Sequence, residues 1–312
     1  MRSPKLRKAY DVCFFNDGQA FVSTTGSSLE CWTDEGCTRT ASAKFPYPSG
    51  LDLAPDGRRV LAKSTTGHLA VFSLPDLSLL ASPTHRQRVR EGPAALFSPC
   101  GEFVVDGCWD GSLTCREIAT GTIRLREEHA GHTVQHVSCS ADRRTFAYSR
   151  KRKGSEERSP GRSRVWLRQW PLETSAEVSV RGLWHWIGAI ALSPDARRIA
   201  IMHTRTGVKW FLDVVDTASG ARWARLEMEL GARACVAWSP NGERLGVVQS
   251  ERIAIARAED LGLIAVHENP YPSAISFSPD GTSVAIGSWE RGEVLKVRAP
   301  APESGRPRRV EA

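Results

Sequence analysis

Apolar and polar positions alternate along residues 275–289, ISFSPDGTSVAIGSW, with Ile275 and Phe277 before a Ser-Pro-Asp-Gly turn and Val284 and Ile286 after it. The pattern predicts a β-hairpin, because a tight turn needs a positive φ that Gly281 supplies without steric cost. The same hairpin returns six more times. Its turn residue falls at Gly18 (FFNDGQAFV), Gly57 (LDLAPDGRRV), Gly101 (LFSPCGEFVV), Arg143 (SCSADRRTFAY), Ala196 (ALSPDARRIAI), Gly242 (AWSPNGERLGV) and Gly281, at spacings of 39, 44, 42, 53, 46 and 39 residues. The two-residue periodicity on both sides of each turn marks strands with one face toward a core.

A period near 40 residues with room for four short strands is that of a propeller blade, which cannot bury both faces alone and stacks on its neighbours. Seven turns predict an all-β, seven-bladed β-propeller of four-stranded antiparallel blades over residues 1–298. In the third blade the strands are expected at 94–98, 102–107, 112–117 and 122–126, and in the fifth at 189–193, 198–203, 208–215 and 221–227. The last blade runs out at 294–298, where Ala-Pro-Ala-Pro-Glu-Ser-Gly cannot pair as a regular strand. Residues 4–9 are expected to supply the missing strand, closing the ring and removing an exposed edge. Residues 299–312 read as a disordered basic tail.

Composition changes this picture in two places. Lys plus Arg at 42 against Asp plus Glu at 35 gives a net charge of +7, and residues 150–164 (RKRKGSEERSPGRSR) carry most of it. That segment accounts for the longest spacing and reads as a basic loop inserted between the second and third strands of blade 4. The eight cysteines form no CxxC pair and no compact framework, which suits thiols in a reducing compartment. With no apolar stretch of roughly 18 residues and no secretory leader pattern, the expected location is cytoplasmic.

The S-P-D-G-like turns, together with Gly107-Cys108-Trp109-Asp110-Gly111 in one turn and Gly131-His132 at the opening of a blade, resemble the WD40-repeat family of β-propellers. The resemblance implies a structural role for Asp110 and His132, while one fold hosts many functions, so the expectation of a non-catalytic scaffold that binds other proteins, alone or within an assembly, rests on the exposed aromatics below. It departs from the family pattern at the third strand, where blade 3 has Arg116-Glu117 in place of Trp-Asp. A TolB-like propeller, with similar turns, is the neighbouring possibility.

Eight residues after each turn residue stand Gly26, Thr65, Trp109, Lys151, Thr204, Ser250 and Trp289, all in turns between second and third strands. The links entering a blade share that face and add Tyr47 and Tyr271, both in Pro-Tyr-Pro-Ser, and Trp184 and Trp186. An indole left in water forgoes roughly 2–3 kcal/mol of burial, and Trp is enriched at binding hot spots. Tyr47, Trp109, Trp184, Trp186, Tyr271 and Trp289 are therefore the candidate partner-binding residues. Lys151, Arg152 and Lys153 are the candidates for steering acidic surfaces.

Residues His129, His132 and His136 do not converge in a strand register, and the cysteines lack ligand spacing, so neither a metal nor a cofactor is expected. No GxSxG, GxxxxGK[ST], GxGxxG or HExxH pattern occurs. The turn aspartates Asp17, Asp56, Asp195 and Asp280 have a sufficient structural task. The expected function is a protein-interaction scaffold. Nucleic acid or another polyanion, held by the basic insertion and by Arg306, Arg308 and Arg309, is the alternative partner, and a propeller enzyme with its groups at the channel mouth is a third.

Overall fold

A computed structural model describes residues 5–15, 18–33, 38–84, 95–153, 163–182, 184–204, 209–229 and 233–297. The tail, positions 154–162 of the basic insertion, Pro4, Asp17, Cys37 and Leu183 lie outside the described residues. The protein is an all-β, seven-bladed propeller of four-stranded antiparallel blades. Taking the strands of each blade as a to d from the centre outward, blade 1 is Val12–Phe15, Ala20–Thr24, Ser28–Thr33 and Arg39–Lys44. Blade 2 is Pro48–Leu53, Arg59–Ser64, Leu69–Ser73 and Leu79–Ala81. Blade 3 is Leu96–Phe97, Phe103–Gly107, Ser112–Glu117 and Ile123–Glu128. Blade 4 is His132–Cys139, Thr145–Arg152, Ser163–Gln169 and Val178–Ser179. Blade 5 is Trp186–Leu192, Arg198–Thr204, Trp210–Asp216 and Arg222–Met228. Blade 6 is Cys235–Trp238, Arg244–Val248, Arg252–Arg257 and Leu263–Glu268.

Blade 7 closes the ring. Its strand a is Pro272–Phe277, and Ser283–Lys296 folds back on itself to give strands b and c, with Val297 N donating to Thr282 O at 2.7 Å. The N-terminal strand Lys5–Ala9 pairs with that segment as strand d, with Lys5 opposite Glu293 and Leu6 opposite Gly292. The edge that the C-terminal residues leave open is thus covered by the start of the chain.

All seven turn residues of the sequence pattern hold a positive φ: Gly18, Gly57, Gly101, Gly242 and Gly281 between 67° and 86°, Arg143 at 55° and Ala196 at 61°. The residue immediately before the turn residue explains why the turns form. In blades 4, 5 and 7 the carboxylates of Asp142, Asp195 and Asp280 each accept a hydroxyl hydrogen from Ser140, Ser193 and Ser278 and a backbone N–H from the residue after the turn. A short side chain that bonds its own backbone is what favours Asp at such a turn.

The core is divided among the blade junctions. Each of seven buried clusters spans two neighbouring blades: Phe15, Val22 and Leu29 of blade 1 pack with Val60, Ala62 and Phe72 of blade 2, and Leu6 and Ala9 pack with Val12, Phe14 and Phe21 across the closing junction. A blade is therefore stable only between neighbours, which is the physical content of the repeat.

Two expectations change. The segment 150–164 is strand at both ends, because strand b of blade 4 continues to Arg152 and strand c begins at Ser163, with Arg150 opposite Arg164 and Lys151 opposite Ser163. Arg150 is buried, since its guanidinium lies over the rings of Tyr148 and Trp166 and binds Glu177. Trp184 is also buried, at 6% exposure. Its backbone bonds Ser163 in both directions, and its indole packs under Gly182 into the junction of blades 4 and 5.

Candidate interaction face

The b-to-c turns and the d-to-a links share one face, and five of the six candidate aromatics stand out from it: Tyr47, Trp109, Trp186, Tyr271 and Trp289 are between 45% and 65% exposed. They come from blades 2, 3, 5 and 7. The two Pro-Tyr-Pro-Ser links have one shared geometry. In each, the tyrosine holds a positive φ, 54° at Tyr47 and 50° at Tyr271, and its carbonyl accepts the N–H of a b-to-c turn residue, Thr65 at 2.8 Å and Trp289 at 3.1 Å. The link is thereby tied to the turn beside it, and both tyrosine rings face outward.

Trp109 sits on a turn packed closely against blade 4. Gly111 holds φ +99°, and a Cβ there would lie 2.6 Å from His132 O and 2.7 Å from His129 O. Blade 4 in turn donates Val134 N to Cys108 O. Beneath the turn, Lys63 is fully buried, with Nζ 2.5 Å from Asp106 and 3.0 Å from Gly107 O, joining blades 2 and 3. Trp289 stands edge-on to Tyr10 at 6.4 Å, and Trp186 leans on Trp210 at 6.0 Å.

The basic residues fall between two of these indoles. Lys151 Nζ lies 4.8 Å from the centre of the Trp186 ring, a cation–π distance. Lys153 donates to Asp110 O at 3.1 Å, beside Trp109, and Arg152 and Lys153 are exposed. Arg150 fixes their base through Glu177, which also takes the Tyr148 hydroxyl, while Arg168 pairs with Glu127. Burial raises the Glu177 pKa, but the bonds from Arg150 and Tyr148 outweigh it and hold the carboxyl below its ordinary value.

Of the three histidines, only His129 joins possible metal ligands: its ring and the carboxylates of Glu127 and Glu177 offer atoms within 4.8 Å of one another. Arg150 and Arg168 already neutralise both carboxylates, which leaves a charge network in place of a vacant ligand set. His132 contacts Ala130 O, and His136 contacts the Ser149 hydroxyl at 2.7 Å.

Two arginines tie distant blades together near the centre of the ring. Arg143 reaches across from the a-to-b turn of blade 4 to both carboxylate oxygens of Asp52 in blade 2, at 2.6 and 2.8 Å, and to Phe97 O and Leu53 O. At the opposite mouth Arg233 donates to Ser49 O and acts on the charge of Asp11. Burial pushes the Cys13 and Cys139 thiols up to about 12 and Cys235 up to about 11, so they are protonated at neutral pH and poor nucleophiles. Sequence reading passed over Arg143 and Arg233, although an arginine in a turn-glycine position was itself a signal.

No family model matches this sequence, and no curated protein does. Among solved structures, a chain titled Kuenenia stuttgartiensis Hydrazine Synthase superimposes with a TM-score of 0.74 at 15% identity, over 94% of this chain and 96% of that one. The likeness is one of fold. With 1635 solved chains matching, the fold by itself selects no activity.

Proposed function

We propose that this chain is a non-catalytic, WD40-like interaction platform of the cytoplasm that binds partner proteins through its aromatic face. The observation that carries the reading is the set of five exposed aromatic rings on turns, links and a strand end held by backbone hydrogen bonds. An indole or phenol held in water by a rigid scaffold loses little conformational freedom on binding, so its burial energy goes into affinity. Trp109 and Trp289 are the proposed anchors. Tyr47, Trp186 and Tyr271 extend the patch, and Lys151, Arg152 and Lys153 favour a partner whose facing surface is acidic. Trp184 has no place in it.

The experiment is affinity capture from native lysate by the intact protein beside a Trp109→Ala, Trp289→Ala variant of equal melting temperature. A protein retained by the first bait and lost from the second supports the reading. Nucleic acid retained equally by both, and released by moderate salt, would assign the binding to the basic strand end.

A further inference from the structure

The face opposite the aromatic patch carries a cleft of about 770 Å³ between blades 5 and 6, within the range of small-molecule sites. Its walls are the a-to-b and c-to-d turns of the two blades, with Trp223 and Ile264 from the outer strands. Trp223 is 56% exposed, but it is held in place: the Arg198 guanidinium lies between its ring, at 5.3 Å, and that of Trp238, at 5.1 Å, and donates to Gly242 O at 3.2 Å.

Arg198 belongs to a recurrent position, two residues after the turn residue. Arg59 occupies it in blade 2 and likewise donates to the carbonyl of the next turn glycine, Gly101, at 2.9 Å. Arg244 occupies it in blade 6. Among the described residues, however, its side chain makes no hydrogen bond or salt bridge, and it lines the cleft with Arg197, whose side chain makes none either. The lining is balanced in charge, with Arg197, Arg198, Arg244 and Arg257 against Asp195, Asp216, Glu243 and Glu259. Asp195, Asp216 and Glu243 are oriented by bonds within their own turns, Arg197 acts on the charge of Asp195, and Arg257 pairs with Asp260, so the guanidinium N–H groups of Arg197 and Arg244 are the donors left for a ligand.

A propped indole beside two such arginines suits a ring that bears an anion. We propose that this cleft binds a small aromatic phosphate of the mononucleotide kind, its ring stacked on Trp223 and its phosphate held by Arg197 and Arg244. Stacking gives every base a favourable π-face, and the guanidinium fork matches phosphate oxygens. The inference is independent of the aromatic face.

Isothermal titration of the full chain with AMP, inorganic phosphate and adenosine tests it. AMP is expected to bind at least about tenfold more tightly than either fragment. Trp223→Ala and Arg244→Ala should each weaken AMP by about tenfold, Arg244→Lys should restore part of the loss, and Arg39→Ala, on the outer strand of blade 1, should leave AMP affinity unchanged. Melting curves check that the variants stay folded. Equal affinity for AMP and inorganic phosphate, undiminished binding by both cleft variants, or binding of a phosphotyrosine peptide but not of AMP would overturn the proposal.

Discussion

Ala196 and Arg143 hold the backbone angles that glycine holds at the other five turns, and they do so for different reasons. A left-handed conformation costs an L-residue about 1–2 kcal/mol, part of which glycine gives back in unfolded-state entropy. Ala196→Gly should therefore raise stability by up to about 1 kcal/mol, read as a higher urea midpoint at unchanged slope. Arg143→Gly should lower it, because the same relief removes the bidentate contact with Asp52 and leaves that carboxylate unpaired between blades. His136 gives a pH test. Burial lowers its pKa from 6.5 to about 4, and the nearby charge of Arg233 acts in the same direction, against a bond to the Gly188 backbone. The folded chain thus takes up this proton later than the unfolded chain does, so the stability due to neutral His136 is whole above about pH 6.5 and is lost as the pH falls toward 4. Chemical denaturation of His136→Gln between these pH values should show a flatter pH dependence than the natural sequence. An equal slope would mean that His136 titrates alike in the folded and unfolded chains.

At the scale of elements, legibility in the sequence follows the range of the interactions. The hairpins could be read because each is specified within about ten residues: alternation sets the faces, a Ser-Pro-Asp-Gly-like turn sets the reversal, and the Asp bonds its own backbone. Exposure of Tyr47, Trp109, Tyr271 and Trp289 could be anticipated because each lies on a turn or link, and that of Trp186 because it only opens strand a of blade 5. Trp184 and Arg150 could not be placed. Their burial depends on Ser163, Gly182 and Glu177, which the fold brings in from other strands and from neighbouring links. The cleft between blades 5 and 6 escaped sequence reading for the same reason, since Arg244 differs from its equivalents Arg59 and Arg198 only in lacking the carbonyl that those two meet. The closing strand makes a testable element. Leu6 is 1% exposed at the junction of blades 7 and 1, so Leu6→Ala should cost about 2–5 kcal/mol. Denaturant unfolding would measure that loss. A cost below about 0.5 kcal/mol, typical of surface positions, would mean that Lys5–Ala9 does not hold the ring shut.

The whole molecule is a ring of seven junctions, each with its own buried cluster, and tied across its middle by Arg143 to Asp52 and by Arg233 to Ser49. Such a body presents its turns at fixed separations, which is what a broad interface of modest anchors requires. Its two faces are chemically different. One displays indoles and phenols beside a basic strand end, and the other carries a cleft where arginines and carboxylates line up beside an exposed indole. The central claim is that the aromatic face carries the binding energy for a protein partner. Its most direct test is the dissociation constant of the captured partner for the intact protein and for Trp109→Ala, Trp289→Ala at two salt concentrations. The account predicts about thirtyfold weaker binding by the variant, equivalent to about 2 kcal/mol, with a loss that persists at the higher salt. An unchanged constant, or one that collapses with salt equally for both proteins, would contradict it.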